Sequence, residues 1–212
     1  MCGRYSIAVD PEQLASRFEA KLPETPIQAR FNAAPTESLP VILNEGERRI
    51  TLLRWGLIPS WAEDMTIGAR LINARAETVH QKPSFRDALR QRRCLVLADG
   101  FYEWQLTPEG KKIPFRLALK SGEPFALAGL WEQWRNPTGE WLRTFTIITT
   151  EPNDLVAPIH NRMPAILTRE AEAHWLDNAG TTEGWRGLLA PYPADQMVAA
   201  PARSETLRRM GA

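Results

Sequence analysis

Apolar and polar positions along this 212-residue chain fall into many short segments divided by turn-forming residues, and their order predicts the fold. Asp10-Pro11 followed by Gln13, with Leu14 and Phe18 four apart, predicts a capped short helix over 11–20. A proline-rich loop follows. Two strand-like runs at 39–43 and 48–55 flank Asn44-Glu45-Gly46-Glu47, a hairpin turn. Ser84, with Asp87 three residues on, starts a second short helix. Arg90, Arg92 and Arg93 close it with charges suited to the negative end of its dipole.

Beyond it lie five runs rich in β-branched residues, leucine or aromatics, at 94–98, 101–105, 113–119, 125–134 and 141–150, with turn signals between them. Helical patterning returns at 168–176, where Thr168 can cap, and a loosely structured tail is expected to end the chain. There is no internal repeat and no low-complexity linker. The expected architecture is α+β: a single domain, 1–212, on a mainly antiparallel, barrel-like β core with short flanking helices.

Composition adds limits. Hydrophobic residues make up 43% of the chain and include 8 tryptophans, enough for a substantial core. No apolar run has the length of a membrane helix, so no membrane partner is expected. Cys2 and Cys94 are the only cysteines, and the opening MCGRYSI lacks the pattern of a leader; both point to a reducing, cytoplasmic setting with Cys2 at the front of the mature chain. A net charge of +1 excludes bulk electrostatic coating of nucleic acid, so any basic site must be local. The 21 arginines against five lysines suit bidentate phosphate contacts, and equally suit a GC-rich coding preference.

Three stretches can carry chemistry. Removal of Met1 exposes a 1,2-aminothiol at Cys2: the amine condenses with an aldehyde to an imine, and the thiol closes on the imine carbon to give a thiazolidine. In ADGFYEWQ, residues 98–105, Glu103 sits among aromatics that can desolvate it and raise its pKa toward neutrality. In LINARAE, 71–77, and PIHNRMP, 158–164, the pairs Asn73/Arg75 and His160/Arg162 lie two apart, hence on one side of an extended chain. Each also has a purely structural reading: Cys2 as an incidental buried thiol, Glu103 as a solvated strand carboxylate, His160 as a hydrogen-bonding loop residue. The histidines lack metal spacing and there is no CxxC or HExxH, so neither metal nor cofactor is expected.

Taken together, MCGRY, FNAAPT at 31–36, RWGLIPSWA at 54–62, LINARAET at 71–78, LADGFYEW at 97–104, FTIITTEPN at 145–153 and IHNRMP at 159–164 resemble the SRAP family, over roughly 2–167 with 168–212 as an extension. These are SOS-response-associated peptidase proteins, understood as sensors that crosslink to abasic sites in single-stranded DNA. The resemblance implies that Cys2 is the reactive residue and that Glu103 is the acid that opens the sugar ring. It implies that His160 assists proton transfer and that Asn73 orients the Cys2 amine. It further implies that Arg4, Arg75 and Arg162 meet the DNA backbone, with Trp104, Pro40 and Thr149 as further contacts. One departure is visible: Trp61 is followed by Ala62 where such proteins can carry paired tryptophans. A cysteine peptidase with Cys2 as nucleophile and His160 as base, or a non-catalytic single-strand binding module, are the alternatives. The expected partner is single-stranded DNA bearing abasic sites, bound by a monomer that associates with the nucleoid.

Overall fold

Two sheets take up nearly all the apolar runs. The computed structural model describes residues 2–202. In chain order the strands are β1 (Tyr5–Ile7), β2 (Arg30–Ala33), β3 (Ser38–Leu43), β4 (Ile50–Trp55), β5 (Asn73–Arg75), β6 (Arg93–Ala98), β7 (Gly100–Leu106), β8 (Lys112–Leu119), β9 (Phe125–Arg135), β10 (Trp141–Thr150), β11 (Met163–Pro164), β12 (Ile166–Leu167) and β13 (Met197–Pro201). The helices are α1 (Pro11–Phe18), α2 (Arg86–Gln91), α3 (Arg169–Leu176) and α4 (Thr182–Gly187).

One sheet runs β10-β4-β3-β6-β9, and because β9 also pairs with β10 this ring closes into a five-stranded barrel. Its seams are antiparallel except between β10 and β4, where Phe145 lies beside Trp55 in parallel register. The other sheet has the order β13-β8-β7-β1-β2. The expected α+β class with a mainly antiparallel, barrel-like core is the architecture found. Closure removes the free edges that an open sheet of such apolar strands would expose.

The core joins the two sheets. Trp55 is fully buried and stacks on Phe145 with ring centroids 6.2 Å apart, while Tyr5 of β1 tilts against it at 5.2 Å. Trp55 Nε1 donates to Ile72 O at 2.9 Å, which pins the segment entering β5. Gly56 follows at φ +116°, and a Cβ there would meet Gly68 O at 2.6 Å. Only glycine lets the chain leave β4 pressed so closely against that segment.

The helices match expectation in place and differ at their caps. Asp10 caps α1 by accepting from Glu12 N at 2.8 Å, and Thr168 caps α3 by accepting from Ala171 N at 3.2 Å. α2 begins later than Ser84, at Arg86, with Phe85 in the cap position and no side-chain cap bond. Its start rests instead on burial of Phe85, Ala88 and Leu89. The 30–33 part of the proline-rich loop forms β2, which pairs with β1. The tail up to residue 202 is ordered, correcting the expectation of loose structure: β13 pairs with β8 over five residues, with Met197 buried at 2% exposure. The basic stretch from 203 onward lies outside the described residues.

Arg93 closes α2 as its position suggests, donating to Leu89 O and Arg90 O at 2.9 Å. It is also fully buried, reaching Trp175 O, Asp177 O and Asn178 Oδ1 and lying 3.6 Å over the Trp185 ring. Burial lowers its pKa to about 10, so it stays cationic at neutral pH. Arg93→Ala strands several buried carbonyls at once and should cost about 3 kcal/mol or more. The melting temperature should fall by about 6–12 °C for a chain of this length. A loss below about 1 kcal/mol in denaturant titration would mean that the carbonyls find other donors.

Candidate functional site

The site forms where the N-terminal strand of one sheet meets the end of the barrel. β1 pairs with β7 in the register Tyr5↔Phe101 and Ser6↔Gly100, and Tyr102 N donates to Arg4 O at 3.0 Å, so the chain ahead of Tyr5 continues beside Glu103. Cys2 is completely buried and its thiol points at Arg4 O, 3.9 Å away. Burial, and secondarily the Glu103 carboxylate, push that thiol well above its ordinary pKa, so it is held protonated. Glu103 is 2% exposed, and burial raises its pKa from 4.5 to about 7. Glu103 Oε1 lies 3.8 Å from His160 Nδ1, and burial depresses the histidine pKa, leaving a neutral imidazole. The structure thus brings Cys2, Glu103 and His160 together, and Glu103 is no solvated strand carboxylate.

A second group surrounds the end of β10. Asn73 and Arg75 of β5 run parallel to it, opposite Ile147 and Thr149. Asn73 Nδ2 reaches Ile147 O at 3.5 Å, while its Oδ1 is buried with no hydrogen-bond partner among the described residues. An orphaned buried oxygen of this kind is costly unless a ligand completes it. Arg75 is exposed. Arg162 Nη2 donates to Thr149 O at 2.7 Å, and its guanidinium grips Glu77 through both oxygens at 2.6 and 3.1 Å. The two groups join through the turn of PIHNRMP, where Arg162 N donates to His160 Nδ1 at 3.1 Å.

Thr149 and Pro40 are both buried. The Thr149 hydroxyl faces Ala74 O and Arg162, so it orients the arginine rather than presenting a surface of its own. Pro40 sits in β3 opposite Leu52. Arg4 and Trp104 are half-buried, Trp104 opposite Pro114. Trp61, next to the Ala62 departure, is 59% exposed, while Ala62 O accepts from Trp134 Nε1.

Several organising residues carry no role in the sequence reading although the motifs contain them. Asp99 accepts from Ala8 N and from Ser6 Oγ, and pairs with Arg116 at 2.8 Å, clamping β1 onto the start of β7. A Cβ at Gly100 would meet the Arg116 guanidinium at 2.6 Å, so any larger residue there would push that side chain from its present place. Gln105 shares the face of Glu103 and donates to Pro158 O at 3.0 Å, holding the histidine loop. Asn153 begins that loop, accepting from Leu155 N and Val156 N and donating to Tyr192 O. The available signal was a polar residue embedded in each quoted motif. Among the described residues no cluster of three or more His, Cys, Asp or Glu could hold a metal ion, and no helix is long and apolar enough to cross a membrane.

Comparison with known proteins fits this arrangement. The family model described as SOS response associated peptidase (SRAP) matches residues 1–207. The chain belongs to the SRAP family. Among SRAP relatives, abasic site processing protein YoqW of Bacillus subtilis (strain 168) is 47% identical over 203 residues, 94% of this chain and 91% of its own. Abasic site processing protein HMCES of Rattus norvegicus is 33% identical over 210 residues, covering 81% of this chain and 59% of that longer protein. A crystal structure of a Bacteroides thetaiotaomicron protein superposes with a TM-score of 0.91 at 30% identity, over 98% of this chain and 94% of its own. One from Bordetella bronchiseptica gives 0.81 at 31% identity, over 95% and 100%.

The raised Glu103 pKa has a consequence for stability. The folded protein binds this proton more tightly than the unfolded chain, so the contribution is full below about pH 4.5 and is lost as pH rises through about 7. Glu103→Gln, neutral throughout, escapes that loss. Relative to wild type the variant should gain stability from pH 5 upward, reaching about 3 kcal/mol by pH 8. Parallel denaturation curves at pH 4, 6 and 8 test this, and a difference that does not change with pH would rule out a burial-raised acid.

Proposed function

We propose that this chain is an abasic-site processing protein that binds single-stranded DNA and, once Met1 is removed, crosslinks covalently to the lesion through Cys2. The observation that carries the reading is an acid, Glu103, buried beside His160 and close enough to the Cys2 thiol to influence it, with its pKa raised to about 7, in a chain of the SRAP family. The abasic site processing proteins YoqW and HMCES, to which the chain is similar, support the same substrate.

The abasic sugar rests mainly as a closed hemiacetal. Glu103 gives its proton to the ring oxygen as the ring C–O bond breaks, and the neutral His160 imidazole takes the C1 hydroxyl proton as that group becomes the aldehyde. The Cys2 amine adds to that aldehyde; the His160 imidazolium so formed protonates the new oxygen, one amine N–H proton restores Glu103, and Glu103 then protonates the departing hydroxyl and recovers the last N–H proton, so water leaves and an imine remains. The thiol S–H then adds across C=N: sulfur bonds carbon, its proton goes to nitrogen, and a thiazolidine results. The net change is protein plus DNA minus one water, with no oxidant or reductant required. Asn73 would orient the sugar and amine through its buried Oδ1 and Nδ2. Arg4, Arg75 and Arg162, the last steadied by Thr149, would receive the strand, with Trp104 and Pro40 as further contacts.

Burial disfavours a general cysteine peptidase. Such an enzyme needs a thiolate stabilised by an imidazolium, whereas here the thiol is protonated and the histidine neutral. In the crosslinking reaction the amine attacks first and the thiol adds as a neutral group. Release of Met1 is the single peptide cleavage the function requires.

Intact-mass spectrometry after incubation with abasic single-stranded DNA should show the processed protein shifted by the DNA less one water. Cys2→Ala should give no adduct that survives denaturation while binding undamaged strand normally; a stable adduct from this variant would eliminate the thiazolidine. Binding without any adduct from the wild type would leave only a single-strand binding module.

The single-turnover rate at saturating DNA should be bell-shaped. It should rise as the amine, with a pKa of about 7.7–8.0, loses its proton. It should fall as Glu103 ionises above about 7. Glu103→Gln should remove the alkaline fall and slow the reaction about 10²-fold at neutral pH. An unaltered profile would exclude Glu103 as the acid.

A further inference from the structure

Arg162 does not stand open to a ligand. Its side chain is 14% exposed and its Nη1 and Nη2 are committed to Glu77 and Thr149, whereas the Glu77 side chain is 44% exposed. The carboxylate is therefore the outer partner and covers the guanidinium from solvent. Its two oxygens take the guanidinium edge in the bidentate manner that a phosphodiester would use. Glu77 lies two residues past exposed Arg75, in a turn closed by Thr78 N and Val79 N donating to Arg75 O and anchored by buried Val79. Arg162 is the largest cause lowering the Glu77 pKa and Arg75 adds to it, so the carboxylate is ionised and shared between two cations. Thr149 O, which also accepts from Ala76 N, fixes the far side of the guanidinium, so Arg162 keeps its place when Glu77 swings away.

We propose that Glu77 is an internal stand-in for a DNA phosphate, holding Arg162 until a single strand displaces it and thereby weakening retention on undamaged DNA. The proposal rests on the DNA-binding reading above. Every strand must break one half-exposed ion pair to engage Arg162. Undamaged DNA has no covalent step to offset that cost, whereas abasic DNA, once crosslinked, is retained irrespective of it. Glu77 is a specificity-determining residue in this account and touches no reacting atom.

The test compares wild type with Glu77→Gln, which keeps the shape and removes the charge. Binding of a short fluorescent oligothymidylate without lesions is measured by anisotropy from about 50 to 200 mM salt. The variant should bind about two- to fivefold tighter, the range of a partly exposed ion pair. Its salt dependence should steepen by about 0.7 in log–log slope, one phosphate contact on a single strand. Crosslinking to abasic DNA should quicken in the same proportion below saturation and be unchanged at saturation. Equal or weaker binding, an unchanged slope, or a slower saturating rate would overturn the proposal and make Glu77 a brace for Arg162.

Glu77→Asp, which keeps the charge on a shorter arm, should fall between the two, and a melting temperature within a few degrees of wild type confirms that each variant is folded. Failure of wild type to form any adduct would refute the crosslinking reading. The affinity comparison on undamaged DNA would still decide the role of Glu77.

Discussion

A residue at the very start of a chain can do stereospecific chemistry only if the terminus is held still, and termini ordinarily fray. Here β1 is only three residues long, too short to hold itself by backbone pairing alone. Three constraints fix it. Tyr5 enters the core against Trp55, the tryptophan that also stacks on Phe145. Asp99 binds Ser6 and Ala8 while Arg116 neutralises it. β7 pairs along one edge and β2 along the other. Full burial of Cys2 follows from this anchoring.

Burial in turn sets the protonation states. A thiol, a carboxyl and an imidazole lie together without a metal-like cluster, and desolvation pushes each toward its neutral form. The charges stand outside this group, on Arg75 and on the Arg162–Glu77 pair. That division suits a polyanionic substrate. A fully ionised carboxylate at the centre would repel the phosphates of a bound strand, whereas an acid with its pKa raised to about 7 sets less charge against the arginines and keeps a proton to give.

Much of this was legible in the sequence. Strand positions from 39 to 150 followed from β-branched and aromatic runs between turns, and α1 and α3 from their caps, because these signals are local. Barrel closure was not legible in the same way: the β9–β10 and β4–β10 pairings join elements through registers that no single segment encodes. β5 and β11 were missed as strands because two or three residues carry no periodicity. The tail was misread because β13 gains its order from β8 rather than from its own sequence, MVAAP. At the candidate site, Cys2, Glu103 and His160 stood out as candidates by chemical type. Asp99, Gln105, Asn153 and Glu77 were passed over because their roles are geometric and exist only after the sheets meet.

The supporting residues also explain the spacing at the centre. β7 carries Glu103 and, on the same face, Gln105, so one strand places both the acid and the tether of the histidine loop. Asn153 fixes the start of that loop, and Arg162, gripping Thr149 O, fixes its end. Held at three points, His160 stays 3.8 Å from the Glu103 oxygen, beyond the distance at which the two would lock into a mutual hydrogen bond. A pair locked together would spend its proton on itself. The rigid frame makes that separation a property of the fold rather than of the substrate.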